Sequence, residues 1–381
     1  MSLKKGIITF LSCWLVLNAS AMPVRDTTDN DGLTHHVGVN IRPSLIMPTH
    51  GFYNGWNPTG KPLRLGGSAH LQYAFAIPET ITYQGIGTGI QTFLCHEYVG
   101  TPVSLYIYQG AELLRLNPDL SLGYEWNFGL SMGWVDDNGV VSSSANAYIN
   151  VGLMLNYRLG KDWSITAGPE YTHFSNGDTS FPNGGANTVN FRIGAIRTLE
   201  KRTRIPAILQ KQESPAGSRT AYDVTIYGAW RADRSLIDGD LELINDAFAV
   251  AGINFNPLYK VGKHLAFGPS LDLLYDRSAN LITYYTGEEE DPVLQYRFPS
   301  FSRQYAIGLS VRGEVIMPIF SVNVGAGYNF IHRGKDLKGL YGIFNLKTSL
   351  TERLYMNIGY RLSSVLYSHN LMFGLGYRFG L

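Results

Sequence analysis

Apolar and polar residues alternate along most of this chain with a period of two, the pattern of a β-strand whose two faces meet different surroundings. The stretch 163–175 shows this clearly. Its odd positions are largely apolar: Trp163, Ile165, Ala167, Pro169 and Tyr171. Its even positions are small or polar: Ser164, Thr166, Gly168, Glu170 and Thr172. A second alternating stretch, 187–198, follows a loop rich in Gly and Asn, so the two predict a hairpin with one apolar and one polar face.

The same alternation recurs in about 16 segments, each near the length that a tilted membrane strand needs. The predicted strands are 35–46, 63–76, 83–95, 103–114, 120–133, 145–159, 163–175, 187–198, 220–232, 247–259, 264–276, 302–315, 319–331, 339–350, 353–363 and 369–380. Connections after even strands are often tight, whereas those after odd strands are longer: 47–62, 134–144, 176–186, 233–246 and 277–301. Short turns at one end and long loops at the other are typical of an outer-membrane barrel.

The first residues read as an export signal. Lys4 and Lys5 precede an apolar run, and Ala19-Ser20-Ala21 offers a cleavage site, so we expect 1–21 to be a signal peptide. Beyond it no run of about 18 apolar residues remains, and we expect no transmembrane helix. Charged residues make up 16% of the chain, below the roughly 25% of soluble domains. The net charge of +1 gives no indication of a nucleic-acid partner.

These observations predict an all-β protein, an antiparallel transmembrane β-barrel of about 16 strands that crosses the bacterial outer membrane many times. We divide it into barrel strands 22–198, a basic linker 199–219 and a second set of strands 220–381. The long linker leaves two eight-stranded barrels in tandem as the alternative. One large barrel is favoured here, because a second closed barrel needs its own filled interior.

Three polar residues share the apolar parity of the 163–198 hairpin: His173, Ser175 and Asn187. Polar groups on a lipid-facing surface are costly and call for a functional reason. Residues two apart on a strand have Cα atoms about 6.5–7 Å apart, so His173 can act as the base for a Ser175 nucleophile. Asn187 can orient the imidazole from the next strand. The competing interpretation makes His173 an interfacial residue that touches headgroups and Ser175 a turn residue.

A family resemblance rests on the motif His173-Phe174-Ser175-Asn176-Gly177 followed by Pro182-Asn183-x-Gly185-x-Asn187. Over roughly 35–198 the chain resembles the outer-membrane lipid A 3-O-deacylase (PagL-type) family, in which an eight-stranded barrel carries a His-x-Ser pair on its lipid-facing surface. The resemblance implies Ser175 as nucleophile, His173 as general base, and Asn176 and Asn183 near the oxyanion. From the residues alone, Gly177 is a third candidate donor beside them. The resemblance also implies hydrolysis of an ester-linked acyl chain of lipid A, with lipopolysaccharide of the outer leaflet as partner and no cofactor or metal.

The chain departs from the family at Asn187, where the family has an acidic residue. An uncharged partner stabilises an imidazolium less, and in a serine protease the Asp-to-Asn change costs about 10⁴ in kcat through the wrong tautomer. Glu170 and Asp178 are the candidates to supply the missing carboxylate. The alternative function is a non-enzymatic barrel, a pore or surface protein that retains the motif, with a lumen lined by polar residues: Arg64, His70, Gln72 and Arg192.

Overall fold

The computed structural model describes residues 32–77, 81–135, 140, 142–181, 183–203, 219–237, 240–262, 264–287, 293–363 and 367–380. The predicted signal peptide, 1–21, lies outside these residues. The chain divides into two compact units, residues 1–175 with 184–205 and residues 176–183 with 206–381. Among the described residues, no helix has the length and apolar character needed to cross a membrane.

Eight antiparallel strands close the first barrel. They are β1 (Leu33–Ile46), β2 (Leu65–Ala76), β3 (Thr82–Thr92), β4 (Gly100–Arg115), β5 (Leu120–Trp134), β6 (Ala145–Leu159), β7 (Trp163–Ser175) and β8 (Ala186–Thr203). Each strand pairs with the next, and β8 returns to pair with β1 in a register that places Val189 opposite Leu45. A 3₁₀ turn (Gly51–Asn54) lies in the β1–β2 connection, and a short helix (His96–Val99) lies between β3 and β4.

A second closed barrel contains β9 (Thr220–Ile237), β10 (Asp240–Lys260), β11 (Leu265–Asp276), β14 (Tyr305–Ile316), β15 (Phe320–His332), β16 (Gly339–Ser349), β17 (Leu354–Ser363) and β18 (Tyr367–Phe379). β18 pairs with β9 and closes it. The long β11–β14 connection carries a hairpin of its own, β12 (Ile282–Thr286) and β13 (Val293–Arg297), and a 3₁₀ turn, Phe301–Arg303.

The predicted all-β, antiparallel fold with 16 barrel strands is confirmed, but the preferred single large barrel is wrong. The strands form two eight-stranded barrels in tandem, because β8 closes on β1 and β18 closes on β9. Two local details also differ. β8 runs on to Thr203, past the predicted start of the linker at 199, and the predicted loop 277–301 contains the β12–β13 hairpin.

The interior of the first barrel is filled by paired charges from the even-numbered face. Arg192 Nη1 lies 2.6 Å from Glu125 and 3.4 Å from Glu170, and Arg42 Nη1 lies 3.1 Å from Glu170. Gln72 donates a 2.9 Å hydrogen bond to Glu125. All of these side chains are buried. Two guanidinium groups therefore face two carboxylates, and each buried charge has a partner of opposite sign.

The second barrel is filled in the same way. Asp223 accepts from Lys347 Nζ at 2.7 Å and from Arg378 Nε at 2.6 Å, while Glu314 accepts from Arg378 Nη2 at 2.6 Å. Eight strands enclose a space just wide enough for side chains. Each half of the chain thus supplies the polar filling that its own barrel requires, which is why the sequence supports two small barrels.

The outward faces of the strands are apolar and exposed. In β7 and β8, Ile165, Val189 and Phe191 are each more than two-fifths exposed, whereas the even-numbered Thr172 is buried. This is the facing that the alternation predicts for a barrel embedded in lipid. His70, Gln72 and Arg192 lie inside as expected. Arg64 does not: it precedes β2, is exposed, and donates to the main-chain oxygen of Tyr53.

Aromatic side chains close the end of the first barrel where the longer connections lie. Phe52 and Tyr53 from the β1–β2 connection pack in one buried cluster with Phe93, Trp134 and Phe174. The ring centroids of Trp134 and Phe174 are 5.0 Å apart, in an edge-to-face arrangement. This cluster fixes the β1–β2 connection against the barrel, directly beside the last residues of β7.

Candidate active site

The candidate site lies where β7 ends and β8 begins. Ser175 is the last residue of β7, and the β7–β8 register places His173 directly opposite Asn187. Directly paired residues of antiparallel strands point to the same face, so the predicted hairpin geometry is confirmed. Thr172 and Phe174, with the opposite parity, are buried in the barrel. The polar trio therefore lies on the outer wall, among the apolar side chains of that face.

The three side chains form one hydrogen-bonded chain. His173 Nε2 lies 2.9 Å from Ser175 Oγ, and His173 Nδ1 lies 2.7 Å from Asn187 Oδ1. An amide oxygen only accepts, so Nδ1 carries the proton and the Nε2 lone pair faces the serine hydroxyl. Ser175 and Asn187 are 8% and 9% exposed, so the chain is largely shielded from its surroundings. This is the tautomer that a general base for serine requires.

Two further hydroxyl groups contact Asn187. The phenol of Tyr171 donates to Asn187 Oδ1 at 2.6 Å, and Asn187 Nδ2 donates to Thr49 Oγ1 at 3.0 Å. Thr49 reaches this position because β1 pairs with β8: the main-chain N–H of Met47 donates to the Asn187 carbonyl at 2.8 Å. Every polar atom of the Asn187 side chain is thereby engaged within the first barrel.

Gly185 allows the backbone to approach the pair closely. Its φ is +63°, in the left-handed region that favours glycine. A Cβ there would stand 2.8 Å from the Phe174 oxygen, 3.5 Å from His173 Cε1 and 3.8 Å from Ser175 Cβ. The glycine of the Asn183-x-Gly185 motif thus has a steric reason: the chain passes over His173 and Ser175 with no room for a side chain.

The predicted oxyanion residues lie together in the loop after β7. The main-chain N–H of Asn176 donates to Asn183 Oδ1 at 3.1 Å, and Asn183 Nδ2 donates to Asp178 at 2.8 Å. The Asn176 side chain donates to the Ser180 carbonyl at 2.9 Å. Gly177 has a φ of +73°. The structure thus joins Asn176, Gly177 and Asn183 in one internally bonded loop, and joins His173, Ser175 and Asn187 in the first barrel.

Neither carboxylate considered as a substitute for the family's acidic residue contacts the imidazole. Glu170 points into the barrel and pairs with Arg42 and Arg192. Asp178 accepts from Asn183. The partner of His173 Nδ1 is the amide of Asn187. Among the described residues, no group of three or more His, Cys, Asp or Glu side chains is placed to hold a metal ion.

Sequence reasoning missed Thr49 and the role of Tyr171. Tyr171 shares the parity of His173, so the alternation alone could have placed it beside the site. Thr49 is 138 positions from Asn187 in the chain, and no local pattern marks it. Only the closure of the barrel through β1 and β8 brings it there.

The fold and this site together define a class of protein: an outer-membrane β-barrel that carries a hydrogen-bonded serine–histidine pair on its apolar outer wall. Comparison with known proteins agrees. Residues 45–195 match the family described as lipid A 3-O-deacylase (PagL), and residues 220–381 match the family described as acyloxyacyl hydrolase, C-terminal domain. The PagL match covers most of the first barrel, and the chain is an outer-membrane β-barrel protein.

Other comparisons add less. A comparison with curated protein sequences found no significant match. Among solved structures, Neisserial surface protein A matches with 11% identity and a TM-score of 0.33, over 44% of this chain and 99% of that one. The siderophore receptor PirA from Pseudomonas aeruginosa matches with 7% identity and a TM-score of 0.26, over 93% of this chain and 82% of that one.

Proposed function

We propose that the first barrel is an outer-membrane ester hydrolase that removes an ester-linked acyl chain from lipid A. One observation carries the proposal: His173 bridges Ser175 and Asn187 with its basic nitrogen toward the serine hydroxyl. That polarity is what general-base activation of a serine requires. A serine in a turn, or a histidine touching headgroups, would need neither the bridge nor its direction.

The reaction follows from these contacts. His173 Nε2 accepts the hydroxyl proton as Ser175 Oγ bonds to the acyl carbonyl carbon, which gives a tetrahedral oxyanion and an imidazolium. The carbon–oxygen bond to the sugar then breaks, and the imidazolium gives its proton to the departing sugar oxygen, which leaves as a hydroxyl group. Water, deprotonated by His173, attacks the acyl-serine; the bond from Ser175 Oγ to the acyl carbon breaks, the imidazolium returns the proton to Oγ, and the fatty acid is released. The family resemblance places Asn176 and Asn183 near the oxyanion, and we retain both, with the neighbouring Gly177, as its proposed donors.

The position of the site suits a substrate that lies in the membrane. Ser175 ends β7 on the outward, apolar face, and Val151, Val189 and Phe191 on neighbouring strands are exposed on the same face. An acyl chain of lipid A can lie along these side chains while its ester reaches the polar group at the strand ends. The longer connections at this end are the ones expected at the outer surface, so lipopolysaccharide of the outer leaflet is the proposed partner.

The alternative of a pore is disfavoured by the barrel interiors. Arg42, Glu125, Glu170 and Arg192 are buried and mutually paired across the first barrel. Ions would have to displace these pairs at a large free-energy cost. The remaining alternative is a surface protein without enzymatic activity, and an assay of lipid A hydrolysis distinguishes it from the hydrolase.

The decisive experiment exposes lipid A in mixed micelles to the purified protein and follows loss of an ester-linked acyl chain by mass spectrometry. Ser175→Ala and His173→Ala should each abolish the loss while the barrel stays folded. Because the pair acts as a unit, the double variant should be no worse than either single one. Ser164→Ala, on the opposite parity of the same strand, serves as the matched control. Acyl release by Ser175→Ala equal to that of the unmodified protein would refute the proposal.

A further inference from the structure

We infer that Tyr171 and Thr49 are positioning residues that fix the orientation of the Asn187 amide, and through it the tautomer of His173. The inference rests on the proposed hydrolase function and explains how an amide can stand where the family has a carboxylate. The two residues contact opposite ends of the same side chain: Tyr171 the oxygen, at 2.6 Å, and Thr49 the nitrogen, at 3.0 Å.

An amide raises a problem that a carboxylate does not. Its oxygen and nitrogen have nearly the same shape, so a half-turn of the terminal torsion exchanges an acceptor for a donor. If Nδ2 faced His173, it would donate to Nδ1 and the imidazole proton would move to Nε2. Nε2 could then no longer accept the proton of Ser175. A carboxylate presents an acceptor in either orientation, which is why Asp-to-Asn changes in serine hydrolases are so costly.

The two hydroxyl groups differ in a way that resolves this problem. A phenol is a stronger donor and a weaker acceptor than an aliphatic alcohol, because its ring withdraws electron density from the oxygen. Tyr171 is therefore matched to the amide oxygen, and Thr49 is matched to the amide nitrogen. Exchanging the amide ends would pair the phenol as acceptor and the alcohol as donor, the weaker combination at both positions. Oδ1 is thus held toward Tyr171 and His173 together.

Both hydroxyls are held in place independently of the amide. Tyr171 lies two residues before His173 on the same face of β7. Thr49 is fixed from both sides along the chain: Met47 is hydrogen-bonded to the Asn187 carbonyl, and Phe52 and Tyr53 are buried in the aromatic cluster. The main-chain N–H of Thr49 also donates to the Met47 carbonyl at 2.8 Å. The positions of these donors are therefore set by the fold.

The kinetic test compares two backgrounds. In the unmodified protein, Tyr171→Phe and Thr49→Val should each lower kcat for lipid A deacylation by about 10-fold or more, with KM little changed, and the ~10⁴-fold tautomer penalty is the upper bound. Thr49→Ser should rescue the loss of Thr49→Val, because it restores the hydroxyl. In an Asn187→Asp background, where the side chain has no wrong orientation, the same two substitutions should change kcat by less than about 3-fold. Equal losses in both backgrounds would mean a merely structural role and overturn the inference.

A second readout needs no activity. The ¹⁵N chemical shifts of His173 in labelled, detergent-solubilised protein report which ring nitrogen carries the proton. We expect Nδ1–H in the unmodified protein and a measurable population of Nε2–H in Tyr171→Phe and in Thr49→Val. An unchanged tautomer in both variants overturns the inference. A protein with this tautomer behaviour and no acyl release would instead refute the proposed function and leave the inference standing.

Discussion

His173 Nδ1 and Asn187 Oδ1 lie 2.7 Å apart across a directly paired position of β7 and β8. From the family resemblance we expect a carboxylate at position 187, and the chain has there a neutral amide of similar shape. The contact keeps the orienting function of the acid, since it fixes the imidazole and its tautomer. It gives up the negative charge that would stabilise the imidazolium formed during attack.

The first prediction restores that charge. Asn187→Asp, which keeps the side-chain length and the 2.7 Å contact, should raise kcat by about 10-fold through better stabilisation of the imidazolium. We expect much less than ~10⁴-fold, because the tautomer is already correct. Placing a carboxylate near the membrane interface destabilises the barrel by at most about 1 kcal/mol, so the gain in imidazolium stabilisation should be larger than this cost. Asn187→Glu, the family's type of residue, should also raise activity.

Lipid A deacylation rates measured at saturating substrate check this prediction, with Asn187→Ala as the control that should lower kcat. If both acidic variants lose activity, the Asn187 amide has a role that only a neutral group can fill, and the orienting role assigned to it here is wrong.

The second prediction concerns the facing of β7. In a protein whose Cys95 has been replaced by serine, cysteines at Tyr171 and Ile165 should react with a lipid-soluble maleimide in liposomes. A cysteine at Thr172 should be protected, because this side chain is buried and hydrogen-bonded to Asn150 and Asn190. Equal labelling at 171 and 172 would contradict the outward placement of the candidate site.

Cys95 must be removed for this measurement even though it is a poor competitor. It lies in the connection between β3 and β4, where burial and then the charge of Glu97 raise the pKa of its thiol. Its thiolate fraction at neutral pH is correspondingly low. Maleimide labelling of Cys95 in the unmodified protein should therefore level off at a higher pH than labelling of an exposed cysteine.

The alternation of side chains predicted much of this architecture. It located the 16 barrel strands, the outward apolar face and the shared parity of His173, Ser175 and Asn187. It could not tell one barrel from two, because closure depends on whether β8 pairs with β1 or continues to β9. The complementary charges that fill each barrel, such as Glu125 and Arg192, lie 67 positions apart and are matched only in three dimensions. Thr49 could not be predicted for the same reason, because only barrel closure brings it to Asn187.

The third prediction tests the charged interior. Arg192→Ala leaves Glu125 and Glu170 buried with less compensation, and we expect the barrel to lose about 3–5 kcal/mol of stability. The matched control is Arg115→Ala, since Arg115 pairs with Glu112 while 45% exposed, and such pairs contribute about 0–1 kcal/mol. Urea unfolding in detergent, followed by tryptophan fluorescence, measures both. Similar small changes in the two variants would contradict the view that these interior pairs hold the barrel together.

The last prediction separates steric crowding at the site from backbone strain. Gly185 and Gly60 both have a φ of +63°, so alanine at either position pays the same conformational cost of about 1 kcal/mol. A Cβ at Gly60 meets nothing within 4 Å, whereas one at Gly185 stands 2.8 Å from the Phe174 oxygen and 3.5 Å from His173. Relief of that contact must move the backbone that passes over the serine–histidine pair. Gly185→Ala should therefore lower kcat by at least about 10², as a displacement of about 1 Å does in other enzymes, while Gly60→Ala leaves kcat unchanged and lowers only stability. Lipid A deacylation and thermal unfolding of the two variants give the comparison, and full activity in Gly185→Ala would show that the close backbone approach is not needed for catalysis.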